Sequence, residues 1–180
     1  MIDFKDISLL VKEFEKHVNV SIAPFDLNAH LYGSPFQSYH DATSGVYHID
    51  PHDAQNWFTW AHEFGHLVAW VVAGKPTIDQ FGCGKGLRAG AYEKPHQFIA
   101  ESLEDDACAV DAVVHLYAGE SMEYVTKLML ETYNYIDTLD FIDEVGYTDE
   151  QKVKFMEITI SVGKKLIEKY SRLSADDKLD

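Results

Sequence analysis

The sequence predicts a mostly helical α+β fold built as one domain. Three observations lead there: five stretches with apolar residues at spacings of three and four, one short alternating stretch closed by a proline, and a length of 180 residues, which supports one core rather than two. Phe4, Ile7, Val11, Phe14 and Val18 mark the first helix, with charges on its other side. Pro24, Gly33 and Pro35 then break the pattern, and Val20 and Ile22 suggest a short strand before them. Gly45 to Asp50 alternates and is stopped by Pro51, the mark of a second strand.

From Asp53 a broad apolar face runs through Trp57, Trp60, Ala61, Phe64, Leu67, Val68 and Val71, and Gly74 followed by Lys75-Pro76 ends it. This second helix should be largely buried. Residues 75–95 hold Gly82, Gly84, Gly86 and Gly90 and read as a long surface loop. Pro95 opens a helix that closes at Gly119, with Ile99, Leu103, Val110, Val114 and Tyr117 on one side. A further helix covers Ser121 to Leu139. The last starts at Thr148, where Gln151 completes a capping box, and carries Val153, Met156, Ile160, Ile167 and Tyr170. Ser174 to Asp180 reads as a frayed end.

Composition removes several classes of function. Apolar residues make up 46% of the chain and aromatics 13%, enough for a sizeable core and against disorder. The net charge of −15 has the wrong sign for gripping a phosphate backbone or an anionic membrane, so no nucleic acid and no membrane partner is expected. No stretch approaches the roughly 20 apolar residues of a membrane helix, and the acidic start MIDFKDISLL does not read as a signal peptide. Cys83 and Cys108 are too few for a disulfide framework, so a cytoplasmic protein with reduced, inert thiols is expected. The sequence leaves the oligomeric state open.

The chemistry concentrates in the second helix, which reads Trp60-Ala61-His62-Glu63-Phe64-Gly65-His66-Leu67-Val68. The spacing of four puts His62 and His66 on one face, one turn apart, where two imidazoles can reach one divalent metal ion. Glu63 lies about 100° further round, beside the ion rather than on it, where it can act as general base on water. Burying three such groups in an apolar helix without partners would be costly, which favours a metal site over chance.

A third ligand must come from elsewhere. In the helix from Pro95, Glu101 and Asp105 stand one turn apart, so that Glu101 supplies a carboxylate ligand and Asp105 orients a ligand histidine through its other ring nitrogen. Glu104 is the alternative ligand. Two imidazoles and one carboxylate suit zinc, the favoured ion, and iron as well.

On these residues the chain resembles the gluzincin metallopeptidases. Gly45-Val46-Tyr47-His48-Ile49-Asp50-Pro51, followed by Phe58-Thr59-Trp60-Ala61-His62-Glu63, is similar in particular to the compact ImmA/IrrE-type peptidases. That resemblance covers about residues 45 to 112 and implies a compact zincin-like domain, with a small strand element beside the HExxH helix and a zinc peptidase activity. A second resemblance runs over residues 60 to 119. His62-Glu63-x-x-His66, Ala73-Gly74-Lys75, Phe81-Gly82, Gln97-Phe98, Glu101-x-x-Glu104 and Ala118-Gly119 are similar to the elongation factor P hydroxylase family, which implies iron and hydroxylation instead. A non-catalytic regulator or inhibitor that retains the metalloprotein scaffold is the third reading.

The loop from Lys75 to Pro95 is the expected rim of a substrate cleft. Its basic residues Lys75, Lys85, Arg88 and Lys94 outnumber Asp79 and Glu93, a mildly basic patch on a strongly acidic body. Lys85 and Arg88 would steer a protein or peptide segment into the cleft. Arg88, Tyr92 and His96 are candidate donors to a developing oxyanion.

Overall fold

The computed structural model describes residues 2–22, 39–41, 46–49, 51, 53–75, 94–129 and 148–176, and at 39–41, 94–105, 155 and 176 the backbone only. Among these residues the order is α1 (Ile7–Glu15), β1 (Asn19–Ile22), β2 (Tyr39–Asp41), β3 (Val46–Ile49), α2 (Trp57–Val72), α3 (Lys94–Tyr117), α4 (Met122–Lys127) and α5 (Asp149–Asp176). The fold is the expected mostly helical α+β arrangement. None of the helices described is long and apolar enough to cross a membrane.

Local chemistry sets the helix ends. Asp6 caps α1 by accepting from the Ser8 amide at 2.9 Å. Phe4 therefore falls in the turn before the helix and Val18 in the bend after it. Phe4, Phe14 and Val18 are buried as expected and Ile7 and Val11 pack against the same core; Leu10, also fully buried, is the addition. Asn56 caps α2 through the Phe58 amide at 3.1 Å, so the helix starts at Trp57 and Asp53 belongs to the preceding turn. Gly74, at φ 88°, ends α2 in a Schellman turn: the Lys75 amide donates to the Trp70 carbonyl and the Gly74 amide to that of Val71. Thr148 and Gln151 form the capping box of α5, each side chain accepting from the other's amide at 3.3 and 2.8 Å.

The small sheet has the order β1-β3-β2, with β1 parallel and β2 antiparallel to the central β3. Tyr47 and Ile49 turn inward from β3 and are fully buried. Tyr47 stacks on Phe14 of α1 at 4.5 Å and meets Trp60 of α2 at 5.5 Å, and Phe14 sits edge-on to Trp60 at 5.3 Å. This aromatic knot places the strands beside the HExxH helix, and Phe64 against Tyr170 brings in α5.

α3 is the central element. Every residue from Ala107 to His115 is buried, rather than one side alone. A second core joins its Ala112 and Val113 to Val125 and Met129 near α4 and to Met156 and Ile160 of α5. Both α2 and α5 approach α3 at a glycine. A Cβ on Gly65 would lie 2.3 Å from the Ala107 carbonyl oxygen, and one on Gly163 2.0 Å from that of Ala109. Tyr117 and Val153, expected inside, are 47% and 52% exposed. Ser174, read as part of a frayed end, is buried within α5, which runs on to Asp176. Residues 130–147, which include most of the expected helix to Leu139, lie outside the described residues.

Candidate metal centre

α2 presents His62 and His66 on one face, as the spacing predicts. Their rings stand perpendicular with centroids 4.9 Å apart, and the two Nε2 atoms are separated by 3.3 Å. Two imidazoles bound to one tetrahedral zinc, each at about 2.05 Å, would hold their nitrogens about 3.3–3.4 Å apart. The observed separation fits a shared ion, and without one it also fits a hydrogen bond between the two rings, donor and acceptor set by their tautomers. Glu63, the next residue, is buried with 9% of its surface exposed, a costly setting for a carboxylate in an apolar helix.

The other ring nitrogen of His62 faces α3. Its Nδ1 lies 3.7 Å from Oδ2 of Asp111, and Oδ1 of the same carboxylate lies 3.3 Å from Nε2 of His115, one turn further along. Asp111 and His115 have no solvent exposure. Burial pushes the Asp111 carboxyl up, but the imidazoles of His115 and His62 outweigh it and bring its pKa down from 3.8 to about 2. Asp111 is therefore a buried anion held between two imidazoles. A carboxylate in this position could orient a ligand histidine: it lies 3.7 Å from Nδ1, on the side of the ring away from Nε2.

Gly65, inside the HExxH motif, makes this contact possible. With no side chain there, the α3 backbone closes onto α2 at Ala107, and Asp111, one turn on, comes level with His62. The pairs Gly65–Ala107, His62–Asp111 and Trp57–His115 show that the helices run antiparallel.

Sequence reasoning singled out His62, Glu63 and His66, and the structure brings the two histidines together. It missed Asp111 and His115. The signal was present, since Asp111-Ala112-Val113-Val114-His115 also sets polar groups one turn apart in an apolar run, but the acidic stretch 101–106 drew the assignment. The side chains of Glu101, Glu104, Asp105 and His96 lie outside the described residues, as do Lys85, Arg88 and Tyr92 altogether. Among the described residues no third His, Cys, Asp or Glu joins His62 and His66 in a metal-binding group. Comparison with protein-family models, with curated proteins and with solved structures finds no match.

Proposed function

We propose that this protein is a metal-dependent hydrolase, a zinc metallopeptidase of the HExxH type acting on a protein or peptide segment in the cytoplasm. The observation that carries the reading is the 3.3 Å separation of the His62 and His66 Nε2 atoms, with a buried carboxylate at the opposite nitrogen of His62. His62 and His66 would hold the ion through Nε2. When bound, zinc would supply the Lewis acidity that makes water a usable nucleophile near neutral pH. Glu63 would be the general base, its carboxylate able to take a proton from water and pass it to a leaving amine.

The pairing of the helices bears on the third ligand. Because α2 and α3 run antiparallel, His66 falls level with residues 106–107, so Glu104 lies about 3–4 Å further along the axis and Glu101 about 8 Å. Helical register also sets Glu104 within about 20° of Asp111, against about 80° for Glu101. We therefore take Glu104 as the third ligand ahead of Glu101, with Asp111 in the orienting role that spacing had assigned to Asp105. Lys85 and Arg88 remain the proposed substrate-steering charges.

Elemental analysis of protein purified without added metal tests the reading, with one equivalent of zinc expected. Glu63→Gln should keep the metal and lose peptide hydrolysis. Iron with oxygen-dependent turnover would assign a hydroxylase instead. Failure to hold any metal under loading would leave a regulator or inhibitor on the same scaffold.

A further inference from the structure

We infer that His115 is a positioning residue for the metal centre, the outer member of a brace His62–Asp111–His115 that fixes which nitrogen of His62 is offered to the ion. The inference rests on the metal-centre reading for its consequence and on geometry for its existence. An aspartate aligned on a ligand imidazole needs one oxygen directed at Nδ1, yet a buried carboxylate held on one side only can turn about its Cβ–Cγ bond. Asp111 has an imidazole on each side: Oδ2 lies 3.7 Å from His62 Nδ1 and Oδ1 lies 3.3 Å from His115 Nε2, ion-pair distances at which neither contact is yet aligned as a hydrogen bond. As the Nε2–H tautomer, His115 would donate to Oδ1 on a small turn of either side chain, closing a 3.3 Å contact that is not yet aligned as a hydrogen bond. That contact sets the rotation of the carboxylate, which in turn selects the Nδ1–H tautomer of His62 and leaves its Nε2 lone pair for a metal.

His115 is itself fixed by aromatic rings. Trp57 and Phe58, from the first turn of α2, lie 4.9 and 5.3 Å from its centroid, and Tyr124 of α4 lies 6.1 Å away. Phe58 stands one turn before His62 on the same helix. The cage is therefore anchored to the helix that carries the ligands, and the brace closes a loop from α2 through α3 and back. A histidine filling a hydrophobic slot for packing alone has no need to direct a ring nitrogen at a buried carboxylate.

The test compares His115→Phe, which keeps a ring and removes the donor, with His115→Gln, whose side-chain N–H can replace Nε2–H. Two quantities are read: the tautomer of His62 by nitrogen-15 NMR of the metal-free protein, and affinity for zinc ion by competition with a chelating dye. The brace predicts that His62 is the Nδ1–H tautomer in wild type and in His115→Gln and becomes a mixture in His115→Phe. Zinc affinity should fall about tenfold in His115→Phe, at the lower edge of outer-shell effects on metal sites, and should be restored by His115→Gln. An unchanged His62 tautomer in His115→Phe, or equal loss in both variants, would overturn it. If His115→Phe does not fold, His115→Met, also lacking a donor, takes its place. A wild type with the Nδ1–H tautomer but no zinc binding would refute the metal centre and leave the brace standing.

Discussion

At the scale of single residues, the centre depends on which carboxylate meets which nitrogen. If Glu104 completes the site, Glu104→Ala should abolish tight zinc binding while Glu101→Ala changes it little; the reverse, measured by competition titration, would shift the α3 register assigned to the ligand. Asp111 makes a separate prediction about acid. Its native pKa of about 2 lies below the ordinary 3.8, so its ionised form stabilises the fold fully above pH 3.8, and this contribution is lost as pH falls from 3.8 towards 2. Asp106 works in the opposite sense, because burial raises its pKa and its charge opposes folding as pH rises. Denaturant unfolding of the metal-free protein should show wild type losing stability more steeply than Asp111→Asn between pH 3.8 and 2. Parallel slopes would mean that Asp111 is not held as an anion.

At the scale of elements, the site exists because two helices touch at a glycine. Gly65→Ala drives a methyl group into the Ala107 carbonyl, a backbone atom that can yield only if α3 moves, and should destabilise by about 1–3 kcal/mol. Gly163→Ala meets the Ala109 carbonyl from α5 and should cost a similar amount. The two should differ at the metal: Gly65→Ala separates Asp111 from His62 and weakens zinc binding by at least about tenfold, whereas Gly163→Ala presses on α3 from α5 and leaves zinc affinity near wild type. Equal zinc affinities in the two variants would remove the Gly65 contact from the site's construction.

For the molecule as a whole, a metal centre held by α2 and α3 would tie metal binding to folding. Zinc at 1,000 times its dissociation constant should stabilise the native state by about 4 kcal/mol, seen as a rise in Tm that a chelator reverses and that His62→Ala abolishes. An identical Tm with and without zinc would exclude a native-state site. The chain has a net charge of −15, so self-repulsion should make it more stable as salt is raised from low ionic strength, where charges act beyond about 10 Å.

The sequence by itself determined whatever depends on neighbours along the chain. The four-residue spacing of His62 and His66, the capping box at Thr148, the stop at Gly74 and the alternation that buries Tyr47 and Ile49 are all local, and each appears where the residues require it. Helical periodicity likewise located α1 and its inward residues, Phe4, Phe14 and Val18 in the core and Ile7 and Val11 against it, and left out only Leu10. Only the tertiary structure decided that Asp111 faces His62, since residues 49 positions apart come together only through the depth at which two helices pack. That depth is set by the missing side chain of Gly65 against the Ala107 carbonyl, a contact no single-helix pattern records. The acidic run before it stands out because charge is conspicuous in sequence, while a lone aspartate in an apolar run shows its neighbours only once the opposing imidazoles stand around it.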